Sequence, residues 1–252
     1  MKLKKPIAVR VLGRYSPYPP KNGNCSGYLL TIENKKILFD CGNGILSNLQ
    51  NYFDVSELSA VFISHFHEDH VADLVALRHA YETSIKMGNA TNPLAIYVPR
   101  KPQEQVDKLS SYEGFDVKAL EENDHINIGE IDITCIKTEH PLYCLAYRLE
   151  YNDKIFAYTG DTAYKEDSSL IDFISNSDLL LAETSFTEKN KKGHEDYHMS
   201  AKEAALLAKN ANVKRLIMTH LHPLIDTKEL LNEASKVFSD SSLAVENTSY
   251  LI

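Results

Sequence analysis

Three histidines and an aspartate fall within six consecutive positions of Ser64-His65-Phe66-His67-Glu68-Asp69-His70. Imidazole and carboxylate donors together favour zinc, manganese or iron over magnesium alone. The run follows the apolar stretch Ala60-Val61-Phe62-Ile63 and precedes a helical pattern, so it reads as a strand-to-helix loop, where a rigid scaffold can aim side chains. On extended backbone His65 and His67, two apart, point the same way, while Asp69 and His70 turn toward a second position at the helix start. That geometry suits two neighbouring ions rather than one. With 10 histidines in 252 residues, His-x-His-x-Asp-His arises by accident on the order of one time in a thousand, so a surface cluster that binds nothing is the weaker reading.

Three further candidates stand at the ends of apolar runs: His140 after Ile131 to Lys137, Asp161 in Thr159-Gly160-Asp161-Thr162 after Ile155 to Tyr158, and His220 after Leu216 to Thr219. A lone histidine at a strand end is more often structural, but a site with four ligands already placed needs partners of these types. Two divalent ions, zinc with manganese or iron as alternatives, are the expected cofactors. The expected chemistry is hydrolysis by activated water, which needs no serine or cysteine nucleophile.

The elements that must position these residues are legible from periodicity. Strands are expected at Ile7 to Leu12, Gly27 to Ile32, Lys36 to Asp40, Ala60 to Ile63 and Ala95 to Val98, and further along at Ile131 to Lys137, Leu145 to Glu150, Ile155 to Tyr158, Leu179 to Ala182 and Arg215 to Thr219. Asn152-Asp153 fits a hairpin turn. Helices are expected near Ile45 to Tyr52, Val71 to Met87, Ala201 to Asn210 and Thr227 to Phe238. Two sets of strands with helices between and outside them predict an α/β (α+β) fold of two sheets packed face to face and covered by helices. No linker-like stretch divides residues 1–252, which read as a single domain.

A net charge of −8 argues against a general polyanion binder, which needs broad positive fields. The lysines of Met1 to Arg10 precede only a short apolar run, and no stretch approaches the length of a membrane span. Cys25, Cys41, Cys135 and Cys144 form no CxxC pair and read as reduced thiols. The expected compartment is the cytoplasm, with no membrane partner.

The HxHxDH loop, the later single histidine, the Gly-Asp-Thr and the final Thr-His resemble, in that order, the metallo-β-lactamase superfamily. The resemblance spans residues 10 to 223 and implies a four-layer αββα sandwich with metals at one edge. It implies that His65, His67 and His140 hold one ion, Asp69, His70 and His220 the other, with Asp161 bridging. Leu181-Ala182-Glu183-Thr184-Ser185-Phe186 and His198-Met199-Ser200 are similar to segments of the ribonuclease Z and phosphodiesterase branch. The resemblance also places Asp40 behind the ligands, orienting a histidine through its second ring nitrogen; a helix-capping role is the alternative. Glu183 is expected in the same supporting layer.

Asp69 and His198 are the candidates for catalysis proper. Ser200-Ala201-Lys202-Glu203 is a capping box, so Ser200 caps, and His198 stands just before a helix N-terminus that favours an anion. There it could donate a proton to a leaving oxygen, or be an ordinary loop histidine. Lys189, Lys191 and Lys192 could recruit an anionic substrate or be a solvated face, and His222 reads as a neighbour of the site. Ribonuclease Z carries a long arm between its later metal histidine and its bridging aspartate, whereas His140 and Asp161 lie close enough here for only two strands and a turn. The favoured substrate is therefore a small phosphodiester, a cyclic nucleotide or a short oligonucleotide. A lactone or thioester and transfer RNA are the alternatives. Relatives in this branch are often homodimers, and a dimer is expected.

Overall fold

The structure, a computed structural model, describes residues 6–252; Met1–Lys5, which hold the lysines of the N-terminal segment, lie outside the described residues. The chain divides into two compact units, Met1–Leu120 with Glu246–Leu251, and Glu121–Val245 with Ile252.

The first unit is built on a seven-stranded sheet. Its strands are β1 (Ala8–Gly13), β2 (Gly27–Ile32), β3 (Lys35–Phe39), β4 (Ala60–Phe62), β5 (Leu94–Pro99), β6 (Phe115–Leu120) and β14 (Ser249–Leu251), in the order β14-β1-β2-β3-β4-β5-β6. β14, β1, β2 and β3 pair antiparallel, and β3 to β6 run parallel. Leu29, Leu38, Val61, Ile96 and Val98 pack with Leu74, Leu77 and Tyr81 of α3 (Leu74–Lys86) and Val106 and Leu109 of α4 (Gln103–Ser110) in one buried cluster. The helix expected over Val71 to Met87 is α3, which starts later, at Leu74, after the short α2 (Glu68–Val71). Asp73 makes the break. Its amide donates to Cys41 O at 3.0 Å, and its carboxylate accepts from Leu46 N at 2.9 Å, serving the start of α1 (Ile45–Leu49).

The second unit repeats the plan with β7 (His125–Ile128), β8 (Ile131–Lys137), β9 (Leu145–Tyr151), β10 (Lys154–Tyr158), β11 (Leu179–Glu183), β12 (Leu216–Thr219) and β13 (Ser241–Leu243), in the order β13-β12-β11-β10-β9-β8-β7. β10 to β13 run parallel; β7 to β10 are antiparallel. Asn152 and Asp153 both take positive φ, 56° and 60°, the backbone of a tight two-residue hairpin turn. So β9, the turn and β10 take up residues 145–158 of the chain between His140 and Asp161. The helices are α5 (Ser169–Phe173), α6 (Ala201–Asn210) and α7 (Thr227–Ser235). α6 opens with the expected capping box: Ser200 Oγ accepts from Glu203 N, and Ser200 N donates to Glu203 Oε2. Its alanines at 201, 204, 205 and 208 are buried, which lets a helix approach its neighbours closely.

Candidate functional site

In each unit the candidate residues gather at the carboxyl ends of strands, with the parallel strands supplying most of them. In open α/β sheets the loops at this end form the ligand crevice.

In the first unit β3 ends at Phe39 and Asp40 turns into the left-handed region at φ 58°. A non-glycine residue held there carries backbone strain of about 1–3 kcal/mol. Fully buried, Asp40 accepts from Ser64 N at 2.7 Å, Ser64 Oγ at 2.8 Å and His70 Nδ1 at 2.8 Å. It caps no helix; Asp73 does that work for α1. Ser64 Oγ has given its one proton to Asp40, so it accepts from His65 Nδ1 at 3.1 Å. Asp40 thus fixes His70 directly and His65 through a serine, and both rings carry their proton on Nδ1 and present Nε2 as a lone-pair donor. His65 Nε2 lies 2.9 Å from His67 Nδ1, and His70 Nε2 lies 3.6 Å from Asp69 Oδ2. The loop is stapled in place by Cys41 N to His70 O and Ser26 N to Asp69 O. Gly42 permits this closeness: a Cβ there would sit 1.9 Å from the Asp69 carbonyl oxygen.

The second unit repeats this logic with different residues. Asp161 follows β10, Glu183 ends β11, and His220 follows β12 at φ 59°; all three are buried. His220 Nε2 is 3.1 Å from Asp161 Oδ1, and its Nδ1 is 2.9 Å from Ser185 Oγ, which donates to Glu183 Oε2 at 3.1 Å. The other oxygen of Glu183 holds His198 Nδ1 at 2.9 Å and accepts from Thr162 N at 3.2 Å. Again one buried carboxylate fixes one histidine directly and another through a serine. His140 is half-buried on the loop after β8, its ring 6.2 Å from that of His198. Thr138 Oγ1 donates to Asp161 O at 2.7 Å and ties the His140 and Asp161 loops together. Burial pulls the His198 pKa down, but Glu183, with help from Asp161, outweighs it and leaves the ring above its ordinary value.

Lys191 is not available to an incoming anion: it is buried and held by both oxygens of Glu203 at 2.6 Å, whereas Lys189 and Lys192 are exposed. His222 is half-exposed, near Phe186. Sequence alone gives Ser64 and Ser185 no role. A hydroxyl directly before the HxHxDH run, and another two positions after Glu183, were the available signals.

The donors fit divalent metal. Zinc–nitrogen bonds near 2.0–2.1 Å in tetrahedral geometry put neighbouring ligand atoms about 3.3 Å apart, and the pairs at 2.9, 3.6 and 3.1 Å cluster around that separation. Imidazoles whose second nitrogen is anchored by a carboxylate or hydroxyl are the usual dress of metal-binding histidines. Asp161, His198 and His220 also bring one ligand atom each within 4.8 Å of one another. His198 Nδ1, 3.9 Å from Asp161 Oδ2, is however already engaged by Glu183.

Comparison with known proteins agrees with this arrangement. Residues 35–221 match a family model described as "Beta-lactamase superfamily domain". The probable metallo-hydrolase YhfI of Bacillus subtilis is 34% identical over 233 residues, 92% of this chain and 94% of that protein. Its crystal structure, a metallo-beta-lactamase fold protein, superposes with a TM-score of 0.93 at 32% identity, covering 98% of this chain and 100% of that one. The expected α/β sandwich of the metallo-β-lactamase fold is thereby shown. Ribonuclease BN of Proteus mirabilis is 27% identical, covering 92% of this chain and 96% of the ribonuclease. Human tRNase Z, short form, shares the fold with a TM-score of 0.77 at 19% identity, over 96% and 98% of the two chains. The ribonuclease BN alignment runs over 296 positions, to which 92% of 252 residues, about 232, are contributed by this chain. The ribonuclease therefore carries roughly 64 residues without a counterpart here. Among the described residues no helix is long and apolar enough to cross a membrane.

Proposed function

The chain belongs to the beta-lactamase superfamily as a metallo-hydrolase, and from that premise we propose that it hydrolyses a small phosphodiester, such as a cyclic nucleotide or a short oligonucleotide. In this reading residues 1–252 act as one domain. His65, His67 and His140 would hold one divalent ion and Asp69, His70 and His220 the other, with Asp161 as a further ligand. Zinc is the favoured metal, with manganese or iron as alternatives. When bound, such a pair supplies Lewis acidity toward a phosphoryl oxygen and lowers the pKa of water toward neutrality.

The observation that carries the phosphodiester reading is His198. It is clamped by Glu183 at 2.9 Å, two residues before the capped start of α6. A carboxylate on Nδ1 orients the ring so that Nε2–H can be given to a leaving oxygen, the role of a general acid. The helix end expected to favour an anion is closed, because Ala201 N donates to Phe186 O at 2.8 Å, Lys202 N to Glu233 Oε1 at 3.0 Å and Glu203 N to Ser200 Oγ at 3.2 Å, so His198 alone carries this reading. Asp69, the second catalytic candidate, accepts a proton from the attacking water at its carboxylate. Relatives named ribonuclease BN and ribonuclease Z support cleavage of phosphodiester bonds. The short β9–β10 hairpin and the missing 64 residues favour a substrate smaller than transfer RNA.

The test is hydrolysis of bis(p-nitrophenyl) phosphate by metal-stripped protein reconstituted with zinc or manganese. Turnover should return with metal, vanish in Asp161→Ala and fall by about 10²–10⁴ in His198→Ala, the usual contribution of a general acid. Well-metallated protein that leaves this compound intact but opens a lactone or thioester would overturn the proposal.

A further inference from the structure

The segment between β11 and α6 runs through exposed polar residues: Glu188, Lys189, Asn190, Lys192, Gly193, Glu195 and Asp196 all face solvent. Two aromatic residues in it, His194 and Tyr197, instead turn inward and are half-buried. His194 lies on the nearly buried ring of Phe186, with centroids 4.6 Å apart and planes only 23° from parallel. Tyr197 stands at 81° to His194, 5.5 Å away. His222 approaches Phe186 from another loop, at 5.8 Å. Stacked rings with one ring set at a right angle make a floor and a wall.

The corner adjoins the proton donor: Tyr197 is 5.3 Å and Phe186 6.1 Å from the ring of His198. It is also held before any ligand arrives. Tyr197 Oη donates to Gly193 O at 2.8 Å, Gly193 N to Glu195 Oε2 at 2.7 Å, and His194 N to Lys191 O at 2.8 Å. Lys191 is itself pinned to Glu203. A loop ordered in advance pays little entropy on binding. A patch serving only to anchor the loop would be best filled by aliphatic side chains. Half-exposed rings with polar edges are instead the surface on which planar ligands stack.

We propose that Phe186, His194, Tyr197 and His222 form an aromatic platform beside His198 that stacks the base of a nucleotide, making nucleotide-derived phosphodiesters the substrate class. This rests on the phosphodiester reading of the neighbouring residues. The base lies face-down on His194 with its edge toward Tyr197, and its sugar leads the phosphate toward His198. Lys189 and Lys192 stand exposed on the same loop.

The experiment compares binding of adenosine 5′-monophosphate and ribose 5-phosphate to the zinc-reconstituted protein by calorimetry. The two share a phosphate and differ in the base. One to three kcal/mol per stacked base corresponds to a nucleotide advantage of roughly five- to 150-fold. It should be lost in His194→Ala/Tyr197→Ala and kept in His194→Phe, which preserves the floor, while ribose 5-phosphate binding stays constant. Equal affinity for the two probes, or an advantage that survives in the double variant, would overturn the platform. The two proposals fail separately. Base-dependent binding by protein inert toward bis(p-nitrophenyl) phosphate sinks the phosphodiesterase reading and leaves the platform standing; turnover without base preference does the reverse.

Discussion

Replacing Ser185 by alanine tests whether metal affinity depends on groups one step behind the ligands. The hydroxyl takes the Nδ1–H of His220 at 2.9 Å and passes its own proton to Glu183 at 3.1 Å, all three residues being buried. Ser185→Ala deletes these hydrogen bonds and the 3.2 Å contact of the hydroxyl with His220 O, and leaves space where the oxygen was. A hydrogen bond lost from a buried polar group costs about 1–3 kcal/mol, and the part of that cost expressed in His220 orientation appears as weaker metal binding. Partners of this kind are worth about 10- to 100-fold in metal affinity, or roughly 1.4–2.7 kcal/mol. Zinc affinity, read by competition with a chromophoric chelator, should fall by that factor. Ser185→Thr keeps the hydroxyl and should recover most of it. Melting in excess chelator separates the two possible roles, since a general packing defect lowers the stability of metal-free protein without a selective effect on zinc. The mirror experiment in the first unit is Ser64→Ala, where Asp40 takes the place of Glu183. Alanine variants that bind zinc as tightly as the parent, or a threonine variant no better than alanine, would refute the relay.

Gly42→Ala places a Cβ 1.9 Å from the Asp69 carbonyl oxygen, so the metal loop must move. We expect about 1–3 kcal/mol of destabilisation in urea, the usual range for overpacking, together with reduced zinc content after reconstitution. Asp178 should govern acid sensitivity in the second unit. Burial alone would raise its pKa, but hydrogen bonds from Lys214, Ile155 N and Lys154 outweigh burial and hold the carboxyl below its ordinary value. A depressed carboxylate contributes stability above the unfolded pKa that is lost as pH falls through the folded one. Metal-free Asp178→Asn should therefore show a flatter decline of stability below about pH 4 than the parent; parallel pH curves would count against this.

Much of the candidate site was legible because its residues follow local rules. The HxHxDH run, Asp161 and His220 stand where apolar runs end, and the Ser200 cap was written in four consecutive residues. What escaped has its partner far away in sequence. Ser64 acquires meaning from Asp40, 24 positions earlier, and Ser185 from His220, 35 positions later. The late start of the expected Val71 to Met87 helix, at Leu74, follows from Asp73 bonding Cys41 and Leu46, and no helical periodicity reports that. The overlooked strands bury little. β6 is exposed at Asp116, Lys118 and Ala119, and β13 and β14 are three residues each with no fully buried position. α4 buries only Val106 and Leu109.

β14 pairs with β1 in the register Ala8 to Leu251, joining positions about 240 residues apart. The free edge of the first sheet is thus covered by chain that follows the whole second unit. A gene fragment ending at residue 120 would produce β1 with its outer backbone groups bare, an edge open to association with other chains. In the intact protein this pairing is among the most non-local contacts, and contacts of that kind come late and slow folding. An attempt to express the two units separately should therefore carry residues 246–251 along with the first.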